Sequence, residues 1–346
     1  MHTRMSYGEP TFRLFANCIP VKGARRSVIC DLQLGRYDFI PNGLFRILTE
    51  LRGLTIAEIK DLFDADQQSV IDGYFEFLRR ERYGFDCRDP ELFPELDLTW
   101  NSSAKVTNAI IDINSESNHP FAEIFQQLDA LGCRALQLRC FATISLHDLR
   151  NILKLTLYGG LRDIDLLIRY SDEFASEILE AICGENQRVS RIVVHASQEN
   201  KSIKVKDTGV RIVFTTANCD SPECCGQTSA KYFAVNMELF TEAQAWNSCL
   251  NRKISISADG LIRNCPSMPY SFGHVRTTPL SAVLAASRFT QIWSITKDQI
   301  KVCRDCEFRY ICTDCRAYRQ DAADLNSKPL KCGYDPYSAE WSDGGM

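Results

Sequence analysis

The first part of the chain, residues 18–95, begins with short apolar stretches and continues with segments in which apolar residues recur at helical spacing. The stretches Arg26–Leu32 and Arg36–Ile40 predict two strands. Pro41–Leu51 follows directly and predicts a helix, because Pro-Asn-Gly at its start is typical of a helix opening. This part is therefore expected to start with two strands and a helix.

Two further helices complete this part. Thr55 and Glu58 have capping-box spacing, in which each residue satisfies a free backbone N–H at a helix start. The helix after that one is indicated by apolar residues at helical spacing, namely Val70, Ile71, Tyr74, Phe75 and Leu78. Gly84 stands where a left-handed residue would end it, and Phe85–Cys87 predicts a returning strand. The expected order is β-β-α-α-α.

From residue 96 to 216 strands alternate with helices. The predicted strands are Ala109–Ile113, Ala135–Cys140, Ile164–Ile168, Arg191–His195 and Val210–Thr215. Helices fit between the first four, and the clearest is Pro120–Leu131, with Gly132 after it. Strands that alternate with helices of this length predict βαβ units and a parallel sheet, here an open or partial barrel.

After Ala217 cysteine, proline and glycine become frequent and the periodic pattern weakens. Ile254–Ser257 and Leu261–Arg263 flank an Asp-Gly turn and predict a hairpin, and Ser281–Phe289 predicts a helix. The rest carries too little periodic apolar surface for a core, so we expect loops held by their cysteines. The fold class is α/β, and the predicted domains are residues 18–95, 96–216 and 217–346.

The composition is that of a folded protein that works away from membranes and nucleic acid. Of its 346 residues 45% are hydrophobic, no run approaches the roughly 18 apolar residues of a membrane span, and Met1–Pro10 lacks the apolar core of a secretory signal. The net charge is −4 and the basic residues are spread along the chain, unlike those of a nucleic-acid binder. We therefore expect a cytoplasmic protein.

The sixteen cysteines are unevenly distributed, with six before Gly184 and ten between Cys219 and Cys332. A disulfide framework is typical of short exported chains, whereas clustered thiolates in a reducing compartment more often bind metal. The six early cysteines lack ligand spacing and are expected to pack as small apolar groups: Cys18, Cys30, Cys87, Cys133, Cys140 and Cys183. His147, His195 and His274 are expected to be structural or surface residues.

Seven of the later cysteines have ligand-like spacing. They are Cys249 and Cys265 around the predicted hairpin turn, the close set Cys303, Cys306, Cys312 and Cys315, and the distant Cys332. Four thiolates suit either a tetrahedral zinc ion or a cubane iron–sulfur cluster. Because seven ligands exceed one site and divide into two sites of three or four, the pattern favours paired clusters over a single zinc site.

Basic residues interleave these cysteines, and their charges could offset the thiolates and donate hydrogen bonds to sulfur. They are Lys301, Arg304, Arg309, Arg316 and Arg319. The alternative for each is a solvated surface position, which is where such side chains are mostly found.

The cysteine spacing resembles that of the SPASM domain, the auxiliary-cluster extension of radical S-adenosylmethionine enzymes that modify peptides and proteins. The matching positions are Cys249, Gly260 and Cys265, then Cys303, Cys306 and Cys312, with Cys332 as the distant last cysteine. The chain departs from the family pattern at one point, since two residues rather than three separate Cys312 from Cys315.

The resemblance implies two [4Fe–4S] clusters. It assigns Cys303, Cys306, Cys312 and Cys332 to one cluster, and Cys249, Cys265 and Cys315 to the other. The fourth ligand of the second cluster stays open, with Cys219, Cys224 and Cys225 as candidates and an open iron position as the alternative.

Residues 96–216 resemble the barrel of radical S-adenosylmethionine enzymes, with Leu96–Asn101 similar to its first strand. In those enzymes a Cys-x-x-x-Cys-x-x-Cys loop after that strand holds the cluster that cleaves the cofactor. No cysteine occurs here between Cys87 and Cys133, and Gly159-Gly160 is not followed by the usual Glu. The comparison implies a degenerate barrel without S-adenosylmethionine cleavage.

The N-terminal part resembles the leader-peptide recognition element of ribosomal-peptide modifying enzymes. Such elements accept a precursor peptide as an added strand, and the exposed edge would come from Arg26–Leu32 or Arg36–Ile40. The alternative is a winged-helix-like packing domain without a ligand.

Over nearly its whole length the chain resembles the SPASM-domain peptide maturase of grasp-with-spasm systems. The segments that carry this resemblance are Asn251–Ile256, Asn264–Met268, Cys306–Tyr318 and Lys331–Tyr337. It implies a precursor peptide and an ATP-grasp ligase as partners. Two alternatives remain: a cluster-dependent or radical S-adenosylmethionine-type enzyme in its own right, and a zinc-held interaction module.

Overall fold

The computed structural model describes residues 9–206 and 208–342, and it contains in these stretches no helix long and apolar enough to cross a membrane. Most of Met1–Pro10, the segment read as lacking a secretory signal, lies outside the described residues. The N-terminal elements are β1 (Thr11–Leu14), β2 (Cys18–Val21), β3 (Ser27–Asp31), β4 (Arg36–Ile40), α1 (Asn42–Glu50), α2 (Ile56–Asp61), α3 (Gln68–Arg80) and β5 (Gly84–Cys87).

All three predicted strands and all three predicted helices of this part are present. β1 and β2 were missed, because strands of four residues carry little periodic signal. β2, β3 and β4 form an antiparallel sheet with β3 in the middle, and β1 pairs with β5. The expectation that Arg26–Leu32 offers an exposed edge is therefore wrong, since β3 is buried and paired on both sides.

The ends of the helices show which local signals were reliable. The capping box is present: the Thr55 hydroxyl accepts from the Glu58 N–H at 3.2 Å, and the Glu58 carboxylate accepts from the Thr55 N–H at 2.7 Å. The left-handed residue after α3 is Arg82, with φ of 58°, and not Gly84. Gly84 lies in β5, where an added Cβ would lie 2.3 Å from the Arg13 carbonyl of β1.

The middle part alternates strands and helices as predicted. Its elements are β6 (Asn108–Ile113), α4 (Phe121–Ala130), β7 (Ala135–Cys140), α5 (Leu146–Leu155), β8 (Asp163–Arg169), α6 (Ser176–Glu185), β9 (Val189–His195), β10 (Lys201–Lys204) and β11 (Arg211–Phe214). Leu96–Asn101 is not a strand, which corrects that expectation, and β6 is the first strand of this region. β10 was not predicted.

The C-terminal elements are α7 (Met237–Ala245), β12 (Lys253–Ile256), β13 (Ile262–Arg263), α8 (Leu280–Ala285), α9 (Ser287–Thr290), β14 (Tyr334–Asp335) and β15 (Glu340–Trp341). The predicted hairpin is β12 and β13, and its Gly260 has a positive φ of 82°. The single helix predicted over Ser281–Phe289 is instead divided at Ala286, which has extended backbone.

One open sheet of eight strands runs through the middle of the molecule, in the order β10-β11-β9-β8-β7-β6-β12-β13. β6, β7, β8, β9 and β11 are parallel neighbours, and β12 pairs in parallel with β6. The hairpin of the cysteine-rich part thus extends the central sheet. The six early cysteines are all buried, which confirms that they pack as apolar groups.

Candidate metal centre

Four cysteines face one cavity in the C-terminal part. They are Cys303, Cys306, Cys312 and Cys332, here called the first thiol group. Half of the remaining lining residues are aromatic, namely Phe233, Phe308, Tyr334 and Trp341. The four residues that the family resemblance assigns to one cluster therefore line a common space.

Local turns of the backbone bring these sulfurs together. A short 3₁₀ turn over Cys303–Asp305 closes when the Cys306 N–H donates to the Cys303 carbonyl at 3.0 Å, so both residues of the Cys-x-x-Cys pair face the same side. The Cys312 N–H donates to the Phe308 carbonyl at 3.0 Å. Cys332 reaches the cavity from a separate segment, which Thr228 contacts through an isolated β-bridge.

A buried lysine contacts the first thiol group. The Lys297 ammonium, in a residue that is only 5% exposed, donates to the Cys312 sulfur at 3.1 Å and to the Thr313 carbonyl at 3.2 Å. Burial lowers the pKa of Lys297, but the nearby Cys312 and Cys303 sulfurs and the Asp314 carboxylate together outweigh burial and raise that pKa above its ordinary value. A buried cation requires a negative partner, and thiolates or a thiolate-bound cluster would supply it.

The second set of predicted ligands also clusters. The pKa of the Cys265 thiol is raised to about 12, chiefly by burial and then by Cys249, while Lys253 acts in the opposite direction. Burial likewise raises the pKa of Cys315, with Cys249 adding to it. Cys249 is thus within electrostatic range of both Cys265 and Cys315, and these three residues are here called the second thiol group. Lys253 contacts this group, since its ammonium donates to the Cys249 sulfur at 3.6 Å.

A buried carboxylate ties the two thiol groups together. Asp314 lies between Cys312 and Cys315, and its Oδ2 accepts from the Asn247 amide at 2.6 Å. The side-chain oxygen of Asn247 accepts from the Cys249 N–H at 3.1 Å, which fixes the start of the second group. Asp314, in the shortened segment between Cys312 and Cys315, is therefore connected through Asn247 to Cys249 of the second group.

The five basic residues singled out from the sequence do not supply the cations that contact sulfur. Lys301, Arg304, Arg309 and Arg316 pair with Asp324, Asp305, Asp298 and Asp314 respectively. Arg319 donates to backbone carbonyls and lies within electrostatic range of Cys315. Lys297 and Lys253 were missed because neither is adjacent in sequence to a cysteine. Lys297 precedes Cys303 by six residues, and Lys253 lies four residues after Cys249, so only the fold brings their ammonium groups to the sulfurs.

The donor set fits iron–sulfur clusters. Four thiols around one cavity, with a buried ammonium against one of them, have the charge and the ligand type that such clusters take. Within the two described stretches, no three Cys, His, Asp or Glu side chains converge closely enough for a single metal ion. A cluster places each thiolate on a separate iron, so its ligands need not converge on one atom.

The comparisons with known proteins agree with this chemistry. Residues 248–307 match the family model of the SPASM domain, described as an iron–sulfur cluster-binding domain. The chain thus carries a SPASM domain, and the matched stretch contains Cys249, Cys265, Cys303 and Cys306. No curated protein matches the chain.

Two crystal structures of SuiB from Streptococcus suis resemble the chain, each at 11% identity. The one with S-adenosylmethionine bound aligns over 92% of this chain and 99% of its own, with a TM-score of 0.32. The second aligns over 88% and 95%, with a TM-score of 0.30. Scores of this size do not establish a shared fold.

Proposed function

We propose that this protein is an iron–sulfur component of peptide maturation, which binds a ribosomally made precursor peptide and acts together with an ATP-grasp ligase. The observation that carries the proposal is the proximity of an open strand edge to the first thiol group. Phe308, two residues after Cys306, packs against Tyr37 and Phe39 of β4, with ring centroids 5.7 and 5.8 Å apart.

β4 is suited to accept an added strand. Within the described residues it pairs only with β3, so its other edge has unpaired backbone groups. Phe39 is 46% exposed, and beside it lies a cavity of about 520 Å³ that Arg26, Phe308 and Trp341 also line. A peptide on this edge would form main-chain hydrogen bonds and direct alternate side chains towards that cavity.

The residues of the C-terminal part hold the cofactor and insulate it. Aromatic side chains limit the access of water to the first thiol group, and Lys297 and Lys253 stabilise negative charge on the sulfurs. A bound iron–sulfur cluster supplies one-electron transfer. Because β4 packs directly against Phe308, a peptide bound at the edge of β4 would lie close to this centre.

Metal analysis tests the cofactor. Anaerobic reconstitution of the full chain with iron and sulfide should give a brown protein that contains iron and acid-labile sulfide in equal amounts. A colourless protein that carries zinc alone would contradict the iron–sulfur assignment and support an interaction module instead.

Peptide binding tests the partner. Co-expression with a candidate precursor peptide, followed by affinity purification and mass analysis with and without the ligase, should recover the peptide and a ligase-dependent product. Phe39→Asp should weaken recovery, whereas Leu34→Asp, at a residue that is 65% exposed in the turn before β4, should not. Release of deoxyadenosine from added S-adenosylmethionine and reductant would contradict the accessory role.

A further inference from the structure

The segment between β11 and α7 passes directly over the second thiol group. An added Cβ at Gly226 would lie 3.1 Å from the Cys315 sulfur and 2.9 Å from the Tyr318 ring. Gly226 has a positive φ of 86°, so the backbone turns sharply at this point. The residue that precedes this turn is Cys225, which the packing of Gly226 holds next to the group.

Two contacts fix the segment in place. The Lys331 ammonium donates to the Cys225 carbonyl at 2.8 Å, and the Ser267 hydroxyl donates to the Pro222 carbonyl at 3.3 Å. Ser267 is two residues from Cys265, and Lys331 adjoins Cys332. The segment is therefore attached to the same loops that carry the ligands.

The three cysteines of this segment are not equivalent. Cys219 and Cys224 are joined to each other by a disulfide, so neither sulfur is free to bind metal. Cys225 is a free and exposed thiol. We propose that Cys225 is the fourth ligand of the second thiol group, so that a cluster bound by Cys249, Cys265 and Cys315 has protein sulfur on every iron.

Two cations lie within electrostatic range of the Cys225 sulfur. They are Lys253, whose ammonium also donates to the Cys249 sulfur at 3.6 Å, and Arg139 near the carboxyl end of β7.

This inference rests on the proposed iron–sulfur function and makes it more specific. A cluster with four thiolates has no open iron on which a peptide or a small molecule could bind. The second cluster would then transfer electrons or stabilise the fold, and it would not ligate substrate. The test must therefore distinguish a bound Cys225 from a free one.

Thiol protection gives that test without a mutation. The full chain is treated anaerobically with iodoacetamide, before and after reconstitution with iron and sulfide, and Cys225 labelling is measured by mass spectrometry. Because a metal-bound thiolate is a poor nucleophile, labelling of Cys225 should fall by about tenfold on reconstitution. Equal labelling before and after reconstitution would overturn the assignment.

Variants give an independent readout. Cys225→Ala should expose one iron, so that added cyanide shifts the electron paramagnetic resonance spectrum of the reduced protein, whereas cyanide should leave the wild-type spectrum unchanged. The matched control replaces Cys219 and Cys224 together by Ala and should behave as wild type. A cyanide response in that control, or in the wild type, would assign the open position differently and refute the proposal.

The iron–sulfur function and the Cys225 assignment can fail independently. If reconstitution yields zinc without sulfide, the iron–sulfur function is wrong. The Cys225 assignment is then decided by whether zinc alone lowers the labelling of Cys225.

Discussion

The Lys297 ammonium and the Cys312 sulfur form a hydrogen bond of 3.1 Å in the interior of the C-terminal part. Neither residue has appreciable exposure, and Cys303 lies close enough to contribute to the raised pKa of Lys297. A positive charge at this position favours the more negative, reduced state of a cluster bound by the first thiol group. It also leads to the first prediction.

Lys297→Met should lower the reduction potential of the first cluster. Loss of about 1.4 kcal/mol of charge stabilisation corresponds to about 60 mV in a one-electron potential, and hydrogen bonds to sulfur are a recognised determinant of such potentials. Potentiometric titration followed by electron paramagnetic resonance measures the shift. Lys301→Met is the matched control, because that lysine is 70% exposed and pairs with Asp324. Equal potentials in both variants would contradict the role of Lys297.

Cys303→Ala should remove about half of the bound iron and destabilise the C-terminal part, because metal affinity is also folding energy. Iron per chain and thermal unfolding of the reconstituted protein measure the two effects. Cys183→Ala serves as the control, since Cys183 is buried in the central core and should keep its full iron content despite some loss of stability. Iron content that is unchanged in Cys303→Ala would show that the ligand assignment is wrong.

Asp314→Asn should destabilise the protein strongly. Asp314 and Arg316 are both fully buried and paired at 2.7 Å, so the substitution leaves an uncompensated guanidinium in the interior. Breaking such a pair costs roughly 3–5 kcal/mol. Chemical denaturation should show this loss, whereas Asp324→Asn, which breaks an exposed pair with Lys301, should have little effect. A comparable loss in both variants would argue against the link between the thiol groups.

Glu242 should make stability depend on pH. Burial raises the pKa of this α7 carboxyl to about 7 from its ordinary 4.5, although the Asn251 amide donates to it at 2.8 Å. Between those pH values the folded state keeps a proton that the unfolded state has lost, so stability falls as the pH rises from 4.5 to 7 and then levels off.

Glu242→Gln removes this titration and keeps the acceptor for Asn251. The variant should match the wild type below pH 4.5 and exceed its stability above pH 7. The expected gain is roughly 2 kcal/mol for this half-buried group. Denaturation midpoints measured across this range test the sign. A wild type that is more stable at the higher pH, relative to the variant, would refute the prediction.

Local signals in the sequence were sufficient to predict most of the helices and strands. The Thr55 and Glu58 capping box, the Asp259-Gly260 hairpin turn and the alternating strands of the central sheet depend on residues that are close in the chain. The grouping of Cys303, Cys306 and Cys312 came from the family resemblance, although the contacts that bring them to one cavity are local: a short 3₁₀ turn and the hydrogen bond from Cys312 to Phe308.

Interactions between residues that are distant in the chain could not be predicted from the sequence in the same way. The sequence could not show that β3 is the central strand of its sheet, so that β4 is the one of the two predicted strands that lies at an edge. Nor could it show that β12 pairs with β6 across more than a hundred residues. It indicated basic residues near the cysteines, but the contacts to sulfur come from Lys297 and Lys253.

By itself, then, the sequence determined the alternation of strands and helices in the central part and the presence of a SPASM domain. Only the tertiary structure decided which cations face the sulfurs and that Cys225, rather than Cys219 or Cys224, remains free beside the second thiol group. The physical reason is that hydrogen-bonded turns and hydrophobic periodicity are local, whereas the neighbours of a buried charge depend on which distant apolar faces pack together.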